Sequence, residues 1–159
     1  MELEFQHMVA RIRPQMLHMA QRMLGDDEEA EDVVQDVLLK LWQLRDEPVR
    51  NVDGLAKVMV RNMCLDLIRK RKMTVDVDEL DVVDVPVPTE RDELLDRMLT
   101  LVDKLPTMQQ TILRMRHMDG MEMSAIASML GTTEEAVRQS LSRARRKVFH
   151  QMKKGGSDL

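Results

Sequence analysis

The chain has 159 residues, enough for one ordinary domain or two very small ones. Hydrophobic residues make up 43%, charged residues 33% and aromatics only 2%, with a formal net charge of -4, a mix that favours helices over sheets. No run approaches the roughly 20 apolar residues of a membrane span. A single cysteine excludes an internal disulfide framework, and the opening MELEFQHMVARIRP lacks the long apolar region of a secretory signal.

The first apolar pattern is MVARIRPQMLHMAQRML, with Met8, Val9, Ile12, Met16, Leu17, Met19, Ala20, Met23 and Leu24 at helical spacing. Pro14 falls inside it and is expected to mark a kink or an early turn. Gly25 ends this helix. DDEEAEDVVQDVLLKLWQL follows, with acids in its first turn to suit the helix dipole, and Pro48 closes it. A third helix is expected over about 52–72, with Val58, Met59, Met63, Leu65 and Ile68 available for packing.

The charge is unevenly spread. Residues 1–73 carry a net -1, residues 74–96 a net -8 and residues 97–159 a net +5. The acidic stretch TVDVDELDVVDVPVPTERDE contains Pro86 and Pro88, and its proline and like-charge density read as a linker rather than a strand. The fold class is therefore all-α: two small helical domains, 1–73 and 92–154, joined by an acidic flexible linker over 74–91, with a disordered tail at 155–159. The second domain opens with RDELLDRMLTLVDKL, which stops before Pro106. PTMQQTILRMRHMDG starts on proline and ends at Gly120, and the short MEMSAIASMLG ends at Gly131.

A short helix, a glycine turn and a second helix fit a helix-turn-helix. Thr132 or Thr133 can cap the second helix, GTTEEAVRQSLSRARRKV, with Glu134 and Glu135 in its first turn. Val137, Leu141, Ala144 and Val148 form its core stripe. The opposite side carries Arg138, Gln139, Ser142, Arg143 and Arg146, types able to bond base edges in a major groove, flanked by Arg145 and Lys147 for phosphates.

At this point the residues resemble a known family. GMEMSAIASMLGTTEEAVRQSLSRARRKV resembles the fourth conserved region of bacterial sigma factors, and LPTMQQTILRM resembles its lead-in. GDDEEAEDVVQDVLLKLW is similar to the core-binding helix of the second region, and VRNMCLDLIRKRK to its DNA-melting helix. Length and layout are similar to the extracytoplasmic-function (ECF) group of the sigma-70 family. The resemblance implies a protein that binds core RNA polymerase through the beta and beta-prime subunits and directs it to promoters. It places Asp32, Gln35, Asp36, Leu39 and Trp42 on the polymerase-docking surface, although Trp42 equally suits a core anchor.

The same resemblance sets Asn62, Asp66, Arg69, Lys70 and Arg71 against the -10 element as single strand. Asp66 also suits an ion pair with Lys70 one turn on. The loop 44–54 matches where the family captures a flipped base. Thr133, Arg138, Gln139, Ser142, Arg143 and Arg146 are implied for the -35 element. A linker of about 16 residues spans at most roughly 55 Å, or about 16 base pairs, so it can hold two modules on separated DNA sites. The family implies an anti-sigma partner, for which the Met-rich helix faces offer a docking surface.

An enzyme is not expected. His7, His18, His117 and His150 are scattered, no metal-ligand spacing, G-x-S-x-G or P-loop occurs, and neither cofactor nor metal is implied. The alternative is a stand-alone helix-turn-helix regulator. A cytoplasmic protein without a membrane span is expected.

Overall fold

A computed structural model describes residues 2–74 and 89–157. Most of the stretch read as a linker, residues 75–88, lies outside them. Within them are seven helices and no strand. α1 spans Glu2–Leu24 and buries Ile12, Met16, Ala20 and Leu24, one residue per turn on one face. Pro14 sits on the exposed side, and the helix runs through it without the early turn expected there. Burial of Ile12 and Met16 on either side holds the segment helical despite the missing N–H. The backbone then turns at Gly25, in the left-handed region at φ 69°.

α2, Asp27–Gln43, starts where the Asp26 carboxylate accepts the Glu29 N–H at 3.0 Å. It buries Ala30, Val33, Val34, Val37 and Leu41 against its neighbours. α3, Val52–Thr74, starts where Asn51 Oδ1 accepts the Gly54 N–H at 2.9 Å. Its buried apolar residues are Leu55, Ala56, Met59, Val60 and Cys64, while Leu65 is exposed. The packing stripe therefore runs along 56, 60 and 64, and Leu65 lies one position off it. These three helices pack on one another as a unit.

Cys64 is fully buried, and burial pushes its thiol up to about 11. A thiol reagent at pH 8 is therefore expected to leave the native protein unmodified. Unfolding in denaturant should release one reactive thiol at the rate of an ordinary cysteine. Fast labelling of the folded chain would contradict this burial.

The second unit begins earlier than the sequence suggested. Thr89 and Asp92 form a reciprocal capping box, and α4 spans Glu90–Asp103. α5 is Thr107–His117, α6 Met123–Leu130 and α7 Glu134–Ser157. α7 packs against α4, α5 and α6. It continues past the expected end of the domain, so residues 155–157 of the supposed disordered tail are helical. A contact from α4 holds that end: Arg97 Nη2 donates to the Met152 carbonyl at 2.8 Å, and its guanidinium lies against Gly155. The two units also touch, because α3 packs on α5 and α6.

Candidate nucleic-acid interface

The turn between α6 and α7 is built from glycine and threonine. Gly131 ends α6 at φ 67°, and Thr132 N–H reaches back to the Ala127 carbonyl at 3.0 Å. Thr133 Oγ1 accepts the Ala136 N–H at 3.1 Å, so Thr133 is the cap of α7. Val137, Leu141, Ala144 and Val148 are all buried. That orientation leaves Arg138, Gln139, Arg143 and Arg146 exposed and Ser142 half-exposed on the outer side.

Local bonds pre-shape this face. Arg138 Nη1 meets Glu135 at 3.0 Å, Gln139 lies 3.5 Å from the same carboxylate, and Arg146 donates to Ser142 Oγ at 3.1 Å. Arg145, assigned to phosphate contact from sequence, is exposed and donates to His117 Nε2 at 3.0 Å on α5. Burial, then Arg145 and Arg116, lower the pKa of His117, in keeping with a neutral acceptor.

Arg138 pairs only across an exposed surface, where an ion pair contributes little to stability. Arg138→Ala is therefore expected to leave the melting temperature unchanged. If Arg138 reads a base, specific DNA affinity should fall about tenfold or more, the effect of losing about 1–3 kcal/mol of discrimination. Gel shifts against matched and scrambled sites would show it, and equal losses on both would remove Arg138 from base reading.

The α3 residues named for the -10 strand are differently placed. Asn62 is 4% exposed, and its Nδ2 donates to Asp119 Oδ2 at 3.1 Å. Its Oδ1 is buried without a partner among the described residues, at a cost of about 1–3 kcal/mol. Asp66 accepts Arg114 Nη2 at 2.8 Å, so its partner is on α5 rather than Lys70 one turn away. Arg69 pairs with Asp96 of α4 at 3.1 Å. Arg71 pairs with Glu29 and also reaches the Leu24 carbonyl at 3.2 Å. Lys70 remains exposed.

Electrostatics follow from this burial. Burial opposes the charge on Arg114, but the bonds to Asp66 and Asp103 outweigh it and raise its pKa. Burial pushes the Asp119 carboxyl up, against the Asn62 bond and Arg61. Burial likewise lowers the pKa of Lys40, whose Nζ donates to Gln110 Oε1.

On α2, Asp32, Gln35, Asp36 and Leu39 form one exposed face, with Leu39 56% exposed. Trp42 continues that side of the helix and is half-buried: its ring lies edge-on to Phe5 at 5.0 Å, and the Arg45 guanidinium stacks over it at 4.1 Å. It is an anchor between α1 and α2. A cleft of about 470 Å³ separates this face and α3 from α5, lined by Asp36, Lys40, Asn62, Asp66 and Arg114.

Sequence reasoning missed Arg114, Asp119 and a groove. Arg114 had a signal, since a charge between Leu113 and Met115 on a core-facing helix needs a buried partner. Asp119, in a turn beside Gly120, had none. The groove, about 1260 Å³, lies between α4 and α7, floored by Leu94, Leu95, Met98 and Phe149 and rimmed by Arg145 and Lys153. Phe149 is 72% exposed, a feature that marks interaction surfaces when it joins such a patch.

The fold and these faces define the class first: an all-helical protein whose second unit presents a helix-turn-helix. The chain matches Sigma-70 region 2 over residues 8–74 and Sigma-70 region 4 over residues 95–148, and it belongs to the sigma-70 family. It is 28% identical over 151 residues to a probable ECF RNA polymerase sigma factor, SigI, of Mycobacterium tuberculosis, covering 86% of this chain and 51% of that protein. It is 29% identical over 130 residues to the ECF RNA polymerase sigma factor SigL of the same species, covering 77% and 73%. The chain thus spans about half the length of SigI, with which it aligns over most of its own. Among solved structures it is similar to the sigma factor RpoE in complex with the anti-sigma factor NepR from Bartonella quintana (24% identity, 94% and 97% coverage, TM-score 0.43). It is also similar to CnrH in complex with the cytosolic domain of CnrY (23% identity, 96% and 90% coverage, TM-score 0.39). Among the described residues no helix is long and apolar enough to cross a membrane.

Proposed function

We propose that this chain is a sigma factor: it binds core RNA polymerase, directs it to promoters and helps open the DNA. The observation that carries this reading is the pairing of a Sigma-70 region 2 unit with a region 4 unit whose α7 presents Arg138, Gln139, Arg143 and Arg146 outward from a buried stripe. In this reading α7, with Thr133 at its cap, contacts the -35 element. α3, through Asn62, Asp66, Arg69, Lys70 and Arg71, meets the -10 strand once uncovered, with the 44–54 loop beside it. The α2 face, Asp32, Gln35, Asp36, Leu39 and Trp42, docks on the polymerase, with Trp42 also held against Phe5 of α1.

The work is binding rather than bond-making, and its setting is the cytoplasm, where polymerase is found. The groove between α4 and α7 serves a protein partner, either the polymerase or an anti-sigma factor, through its apolar floor. The acidic segment between the units spans the distance between two promoter elements. Reconstitution with core polymerase on a genomic DNA library tests the reading. Promoter-specific transcripts that require both components support it. Tight specific DNA binding without polymerase would instead establish a stand-alone regulator.

A further inference from the structure

We propose that His117 is a positioning residue for DNA binding: as a neutral ring it aims Arg145 so that this guanidinium grips one phosphate beside the site read by α7. The inference rests on the reading of α7 as the -35 helix for its setting. Its geometry is specific to the atom. Arg145 donates through Nε to His117 Nε2 at 3.0 Å, and among the described residues it makes no other hydrogen bond or ion pair. A guanidinium held by its inner nitrogen keeps both terminal nitrogens to donate side by side to two oxygens of one phosphate. Arg145 is exposed and lies seven residues beyond Arg138. That is about two turns, or roughly 10 Å, along one side of the helix. It therefore sits at the margin of the reading face, where the phosphate strands flank a helix in a major groove.

Histidine suits this work because it orients without cancelling charge. Nε2 accepts only when the ring is neutral and its proton is on Nδ1. Burial, then Arg145 of α7 and Arg116 of its own helix, hold the ring below its ordinary pKa. The groove beside it is lined from α7 by Arg146, Lys147, His150 and Lys153, and from α5 by Arg114, while α4 presents only apolar side chains. Among the described residues no carboxylate lines this groove, so a protonated ring would meet no counter-charge there.

Arg138 is held differently. Its partner is the Glu135 carboxylate at 3.0 Å, which fixes the fork but offsets its charge. A base edge is read by donor geometry, whereas a phosphate is held chiefly by charge and releases a counterion. The two acceptors thus divide the work along one helix, with Arg138 set for a base and Arg145 for the backbone.

Anisotropy titrations of the full chain test this with two duplexes of equal length, a promoter recovered by reconstitution and its scrambled counterpart. Arg145→Ala should weaken binding to both alike, by about eightfold at about 0.1 M salt, and reduce the salt slope by about one. His117→Ala should reproduce most of that loss, again on both duplexes, with an unchanged thermal melt. His117→Gln, whose side-chain oxygen is also a neutral acceptor, should restore affinity and slope. In the Arg145→Ala background, His117→Ala should cost nothing further. A full additional loss in that background would show that His117 acts independently of Arg145 and overturns the proposal. So does a His117→Ala chain with unaltered affinity and slope, or a loss confined to the promoter duplex. If reconstitution yields no promoter, the sigma reading fails, and the scrambled duplex alone still decides the role of His117.

Discussion

Leu141→Ala is expected to abolish specific DNA binding by unfolding the second unit, not by removing a DNA contact. Leu141 is fully buried in the middle of the α7 stripe, between Val137 and Ala144, on the helix that packs against all three others of its unit. Truncating a buried leucine costs about 2–5 kcal/mol. A helical unit of this size is stabilised by roughly 0.05–0.15 kcal/mol per residue, so the loss is comparable to the whole. Arg143→Ala makes the comparison decisive, because Arg143 is exposed on the same helix. It should lose DNA affinity with an unchanged thermal melt, whereas Leu141→Ala should lose both together. A Leu141→Ala protein that melts normally would mean that α7 is not the keystone of this unit.

Periodicity made the helices legible, and caps made their starts legible. Thr133 starts α7 and Gly131 ends α6 as their residue types suggest. The sorted faces of α7 were legible for the same reason: a 3.6-residue repeat assigns Val137 and Leu141 inward and Arg138 outward without knowledge of anything else. What stayed illegible is long-range partner choice. Asp66 had Lys70 one turn away, yet it bonds Arg114, which the chain brings near only through the docking of α5 on α3. Trp42 was ambiguous because its outcome depends on Phe5, a residue from another helix. Leu65 looked available for packing, but a stripe can shift by one position with no change in composition. The covering of α3 left no trace in any single segment, since each bridge joins residues of unlike motifs.

Gly131→Ala is expected to do two separable kinds of damage. Gly131 has φ 67°, where an L side chain strains the backbone by about 1–2 kcal/mol. A Cβ there would also lie 1.9 Å from the Pro48 carbonyl oxygen, so the loop of the first unit must move away. Gly120 supplies the control: its φ is 65°, and a Cβ there meets nothing within 4 Å. Gly120→Ala should therefore carry the backbone strain alone, lowering the melting temperature while the chain stays closed. Gly131→Ala should add separation of the units, read as loss of Förster transfer between dyes placed on Gln15→Cys and Gln151→Cys, both exposed positions. Gly131→Asn refines the test, because asparagine tolerates the left-handed region yet still carries a Cβ. It should recover stability relative to alanine while the chain stays open. If both Gly131 variants keep the units together, the Pro48 loop yields without breaking the bonds that Arg50 N–H and Asn51 N–H donate to the Met129 carbonyl at 2.9 and 3.0 Å.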